Sequence, residues 1–180
     1  MSAQSFRAEQ LKHLTDEIGV YALCDLDNVP IYVGQSVDGI RSRVRRHLTS
    51  ARSDIIANRQ VDVWEIAYVR AWPVEAKDSI SELEAFLYNQ YDAQMRLMNG
   101  KVVPPTSFDS TTVPEMQTIQ VIDEEERQTR LRPENRLPRQ ISQYLILVDY
   151  ILNVKNADHL KRSLDAHFER LVSYHQGFLG

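Results

Sequence analysis

Two short strand-forming runs, Gly19-Val20-Tyr21-Ala22-Leu23-Cys24 and Pro30-Ile31-Tyr32-Val33, stand on either side of Asp25-Leu26-Asp27-Asn28. The runs are rich in β-branched and aromatic residues, and the tetrapeptide between them is turn chemistry. So short a connection leaves one choice, an antiparallel hairpin. The elements after it in the chain must pack against that hairpin.

A helix is expected from about Gly39 to Ser50, with Asp38 as N-cap. Ile40, Val44, Leu48 and Ala51 recur at helical spacing as its core face, while Arg43 and His47, four apart, share a different face. A third strand is read over Val61–Val69. A second helix comes next over Asp78–Tyr91, opened by the capping-box pattern Ser79-Ile80-Ser81-Glu82 and burying Ile80, Leu83, Leu87 and Tyr91. Strand, strand, helix, strand, helix implies an α+β fold with a small three-stranded antiparallel sheet flanked by helices.

Four segments are expected. Residues 1–17 read as a lead-in helix, residues 18–104 as the α+β domain, residues 105–135 as a proline-containing acidic connector, and residues 136–180 as a C-terminal helical hairpin. In the hairpin, Ile141, Tyr144, Leu145, Val148, Ile151 and Leu152 stripe one helix. Leu160, Leu164, Phe168 and Leu171 stripe the other, with a break at Asn153-Val154-Lys155-Asn156.

Charge narrows the partners. The chain carries a net charge of −4, which alone argues against a polyanion. Its distribution argues the other way: Arg41, Arg43, Arg45, Arg46, Arg52 and Arg59 crowd one stretch against Asp38 and Asp54, while acids gather at Asp123-Glu124-Glu125-Glu126. A basic face on an acidic protein suits a DNA cleft, and equally a solvated helix. Cys24, a single cysteine, reads as a small buried hydrophobe in a reducing cytoplasm. No apolar run approaches the roughly 20 residues that cross a bilayer. His13, His159, His167 and His175 lack partners at zinc-ligand spacing.

Gly19-Val20-Tyr21 followed by Tyr32-Val33-Gly34 resembles the paired motif of the GIY-YIG nucleases. Either triplet alone means little; the ordered set carries the resemblance. Gln35-Ser36 continues the second motif, Arg43 precedes His47 by four on the next helix, Leu83-Glu84 lies on the following helix, and Asn99 stands where the family closes with an asparagine. The stretch from Glu84 to Asn99 is a few residues longer than usual, and the proline that often precedes the asparagine is absent. The resemblance spans about residues 18–100.

The resemblance implies a Mg²⁺-dependent DNA endonuclease, with Mn²⁺ as a substitute ion. Tyr21 is then the general base, a role for which a tyrosine needs nearby positive charge. Tyr32 orients the water or the scissile phosphate, Arg43 stabilises the building charge, His47 polarises the nucleophile or holds Tyr21, and Glu84 ligates the metal. Gly34, Ser36, Arg41, Arg45, Arg46 and Asn99 form the substrate-binding set. Two other readings compete: a catalytically silent nucleic-acid-binding module of this fold, and a protein-interaction domain acting through the C-terminal helices. Those helices are also the expected seat of a homodimer, since one active site cuts one strand.

Overall fold

The computed structural model describes residues 3–180; Met1 and Ser2, part of the expected lead-in, lie outside the described residues. The hairpin forms as its turn demands. Strand β1 (Gly19–Cys24) pairs antiparallel with β2 (Pro30–Ser36), placing Tyr21 opposite Gly34 and Leu23 opposite Tyr32. Asp25 closes the turn by accepting from the N–H groups of Asp27 and Val29, both at 2.9 Å.

The sheet has four antiparallel strands in the order β2-β1-β3-β4, not the three expected. Strand β3 covers Tyr68–Pro73 rather than Val61–Val69. The reason is Asp62, whose carboxylate accepts from the Trp64 N–H at 3.1 Å and turns Val63–Glu65 into a 3-10 segment. Strand β4 (Gln117–Gln120) comes from the stretch read as connector and covers the free edge of β3.

Both faces of the sheet are covered, so β1 is buried at all six positions. Its alternation sorts them. Tyr21 and Leu23 join one core with Ile31, Val69 and Ala71. Against these pack Ile40, Val44 and Leu48 of α2 (Ile40–Thr49) and Ile55 of the short α3 (Asp54–Ala57). Val20, Ala22 and Cys24 join a second core with Ile80, Leu83 and Leu87 of α4 (Ile80–Asp92). Cys24 is thus a buried strand residue, as expected.

Two helix starts differ from expectation. The residue before α2 is Gly39, at φ +120°, and Asp38 makes no cap. At α4 the capping box is absent: a 3-10 turn over Lys77–Ser79 leads into the helix, and the Ser79 hydroxyl donates to the Ala76 carbonyl at 2.8 Å. The lead-in is α1 (Ala3–Gln10) followed by a 3-10 turn at Leu11–His13.

After β4, α5 (Glu124–Leu131) runs into the long helix α6 (Pro133–Asn153), which pairs with α7 (Asp158–Leu179). The hairpin meets the sheet domain through its polar side. Gln143 donates to the Arg59 carbonyl at 2.8 Å, Ser163 to the Met98 carbonyl at 2.8 Å, and Arg170 bonds the turn carboxylate of Asp25 at 2.5 Å. The expected stripe divides instead of forming one core. Ile151 and Leu160 are buried with Leu147, but Ile141, Leu145, Leu152 and Phe168 face solvent. No helix among the described residues is long and apolar enough to cross a membrane.

Candidate active site

The register of the β1–β2 hairpin puts Tyr21 and Tyr32 on one face of the sheet, and the helical spacing of α2 brings His47 down between them. Ring centroids lie 6.4 Å apart for Tyr21–Tyr32, 5.9 Å for Tyr21–His47 and 6.0 Å for Tyr32–His47. The Tyr21 hydroxyl is hydrogen-bonded to His47 Nε2 at 2.8 Å, and His47 Nδ1 to the Ser53 hydroxyl at 2.6 Å. Gly34 makes room for this arrangement: a Cβ there would stand 2.6 Å from the Tyr21 hydroxyl and 2.9 Å from the Tyr32 ring.

The two tyrosines differ in access. Tyr21 is 1% exposed, whereas Tyr32 is partly exposed and lines a cleft of about 400 Å³ with Asp54, Gln60, Glu84, Asn99 and Lys101. Tyr21, the expected general base, therefore does not face the cleft itself. Burial pushes its hydroxyl far above the ordinary tyrosine range, and the Arg43 guanidinium beside it pulls the other way. Burial, aided by the negative charge of Asp54, pushes Tyr32 up to about 12. His47 is pulled down to about 4 by burial and then by Arg43, so at neutral pH it is a neutral ring.

Glu84 lines the same cleft from α4. Its carboxylate is half-buried and has no hydrogen-bond or ion-pair partner among the described residues, and burial raises its pKa. An unpaired, partly desolvated carboxylate suits a hard cation. Among the described residues no group of three or more His, Cys, Asp or Glu gathers to hold an ion. One carboxylate, and not a cluster, is what the described residues would offer a hard cation here.

The remaining expected residues divide. Arg45 and Arg46 are exposed on α2, and their guanidinium groups have no partner among the described residues. Arg41 is tied to the main chain, its Nε donating to the Leu14 carbonyl at 2.7 Å. Ser36 is buried, and its hydroxyl donates to the Gly39 carbonyl at 2.7 Å. Asn99 lines the cleft but uses both ends of its amide on Val33, accepting from its N–H at 3.0 Å and donating to its carbonyl at 2.7 Å. Arg41 and Ser36 thus brace the main chain around α2, and Asn99 braces β2 at the cleft.

Three residues at the site were not picked out from the sequence. Ser53 comes six residues after His47, a spacing with no helical meaning across the break between α2 and α3. Asp54 read as one of two acids in a basic stretch, yet it lines the cleft beside Tyr32. Lys101, read only as part of the α+β domain, adds a cation to the same cleft.

Residues 17–99 match the family model described as the GIY-YIG catalytic domain. No curated protein and no solved structure matches the chain. The matched segment begins just before β1 and ends on Asn99, so it contains Tyr21, Tyr32, Arg43, His47 and Glu84. Residues 17–99, somewhat under half of the chain, are thus similar to the GIY-YIG catalytic domain, a domain of the nuclease type.

Proposed function

We propose that the protein is a metal-dependent endonuclease that hydrolyses phosphodiester bonds in DNA. The observation that carries this reading is a cleft lined by a tyrosine and an unpaired carboxylate, with an arginine beside the tyrosine's buried neighbour. Tyr32 and Glu84 line the cleft, Arg43 stands against Tyr21 behind it, and Arg45 and Arg46 lie exposed along the same helix.

In this reading a phosphate of the DNA backbone lies over the cleft, with flanking phosphates on Arg45 and Arg46. Water attacks phosphorus and the bond to the 3′ oxygen breaks. The tyrosine pair accepts the attacking water's proton through Tyr32 in its phenolate form, reached by prior loss of a proton to solvent, and the 3′ oxygen leaves as an alkoxide that solvent protonates. Arg43 keeps positive charge beside that pair, favouring the phenolate and the crowded phosphate. Glu84 holds Mg²⁺ or Mn²⁺. The chemistry the ion supplies when bound is neutralisation of charge on the phosphate and the departing oxygen.

The exposed face of the helical hairpin fits a second copy of this chain. Ile141, Leu145, Phe168 and Val172 are 40–65% exposed, and Leu137, Ile141, Phe168, Leu171 and Val172 line one groove. Helices of 21 and 22 residues run for about 30 Å. Two such helices side by side offer on the order of the 800 Å² per partner that a stable dimer buries. Paired hairpins would make a four-helix bundle and place two clefts in one particle, as cutting both strands requires.

Supercoiled plasmid incubated with Mg²⁺ or Mn²⁺ tests the activity. Nicking or linearisation that is absent with EDTA and absent in Glu84→Ala supports it. Equal cleavage by Glu84→Ala would overturn the site. DNA retardation in EDTA without cleavage in Mg²⁺ would favour the silent binding module.

A further inference from the structure

Ser53 occupies the residue before α3, a place where a serine hydroxyl ordinarily accepts from a backbone N–H one turn on. It makes no such bond. Its carbonyl accepts from Ile56 and Ala57, while its hydroxyl turns to His47 Nδ1 at 2.6 Å. Ser53 is 0% exposed and His47 and Tyr21 are each 1% exposed, so water does not complete their bonding.

Counting donors fixes the direction of the chain. A neutral imidazole has one N–H and one acceptor nitrogen, and His47 is held neutral. If Nδ1 carried the proton and gave it to Ser53, the Ser53 O–H would be a buried donor with no acceptor among the described residues. Folded proteins avoid that arrangement. If Ser53 donates to Nδ1, every donor is used. The His47 Nε2–H then points to the Tyr21 oxygen, which leaves the Tyr21 O–H free to turn toward Tyr32, whose ring centroid lies 6.4 Å from its own. His167 shows the same economy elsewhere in the chain: Gln140 Nε2 meets its Nδ1 at 3.0 Å, and its Nε2 meets the Gln60 carbonyl at 2.8 Å.

We infer that Ser53 is a positioning residue: its hydroxyl locks His47 in the Nε2–H tautomer and directs a chain of hydrogen bonds outward through Tyr21 to Tyr32 at the cleft. His47 is then a donor to Tyr21 and not the acceptor of its proton. Tyr32, toward which the Tyr21 O–H is directed, lines the cleft and is the member that meets the attacking water. That catalytic consequence rests on the nuclease reading above; the tautomer does not.

The test is ¹⁵N NMR of the histidine rings in the full-length protein, with the His47 signals assigned by their loss in His47→Gln. Ring nitrogen shifts report directly which nitrogen carries the proton. Wild type is expected to show the Nε2–H form, Ser53→Thr to keep it, and Ser53→Ala to admit the Nδ1–H form as Tyr21 becomes the donor. In cleavage, Ser53→Ala should lower kcat about tenfold with KM unchanged, and Ser53→Thr should restore it. An Nδ1–H tautomer in wild type overturns the inference, as do unchanged ring shifts in Ser53→Ala. Should Ser53→Ala not fold, wild type against Ser53→Thr still decides, since a lost Nε2–H form in either is fatal. If the expected tautomer is found in a protein that cuts no DNA, the nuclease reading fails and the positioning role stands.

Discussion

Gly34 and Tyr21 face each other across the central hairpin, and the hydrogen that serves Gly34 as a side chain is what admits the Tyr21 hydroxyl. A Cβ at residue 34 would lie 2.6 Å from that hydroxyl and 2.7 Å from the carbon bearing it. Gly34→Ala must therefore push the Tyr21 ring away from His47 or spread the strands. Overpacking of this kind costs about 1–3 kcal/mol, and a displacement near 1 Å at a reacting group costs about a hundredfold in rate. Urea unfolding and plasmid nicking should show both losses together. A Gly34→Ala protein with wild-type cleavage would remove Tyr21 from the machinery.

Glu84 weakens the fold it stands in. Burial raises its pKa, and no cation among the described residues pairs with it. A carboxyl whose folded pKa lies above its unfolded value is least at home when ionised, so its unfavourable contribution is present above that folded pKa and vanishes below the unfolded one. Glu84→Gln, which keeps the shape and removes the charge, should raise the melting temperature at neutral pH while cleavage falls at least about a hundredfold. Added Mg²⁺ should stabilise wild type and leave Glu84→Gln unmoved. Thermal melts with and without the ion measure this. A Glu84→Gln protein that melts lower and gains from Mg²⁺ would mean the carboxylate is structural and the ion binds elsewhere.

His167 makes the docking of the hairpin sensitive to acid. Burial pulls its pKa down to about 4, against about 6.5 in an unfolded chain. Between those values the unfolded chain takes a proton that the folded one refuses, so stability falls as pH drops from about 6.5 to about 4 and is level above that window. At about 1.4 kcal/mol per unit, the loss from this residue amounts to about 3 kcal/mol by the bottom of the window. Denaturant titrations across it should show the slope. In His167→Gln, whose amide can still donate to the Gln60 carbonyl, that part of the slope should disappear; an unchanged slope would assign it to other groups.

The range of the forces involved decided which features were legible in the sequence and which were not. Tyr21 and Tyr32 could be paired on paper because a short turn fixes a hairpin, and Arg43 and His47 because helical spacing is a local rule. The Ser53–His47 bond spans a break between helices, where no periodicity applies. Strand β4 escaped because Gln117-Thr118-Ile119-Gln120 has a single apolar residue. It is a strand only because β3 presents an open edge. The hairpin helices were legible as helices, but periodicity locates a stripe without saying which way it faces. Here the inward side is polar, because the main-chain carbonyls of Arg59, Gln60 and Met98 needed donors that Gln143, His167 and Ser163 provide.

That division leaves Ile141, Leu145, Phe168 and Val172 of α6 and α7 outward, and the dimer reading depends on them. Leu145 is 65% exposed and Phe168 is 52% exposed, with Tyr144 packed 6.2 Å from the Phe168 ring. Exposed apolar side chains gathered on one side of a helical hairpin are the kind of surface that marks a contact site. Leu145→Glu and Phe168→Glu leave the inward side untouched, so they should not lower the stability of an isolated protomer. In a dimer they would bury charge at the centre of the contact, where truncations alone cost about 2 kcal/mol or more. Light scattering coupled to size exclusion should find wild type at twice the protomer mass, with both variants at the single mass. Plasmid should then be nicked by the variants but linearised by wild type, since only paired clefts cut both strands in one encounter. A wild-type protein of single mass across the accessible concentration range would sink the dimer while leaving the cleft chemistry intact.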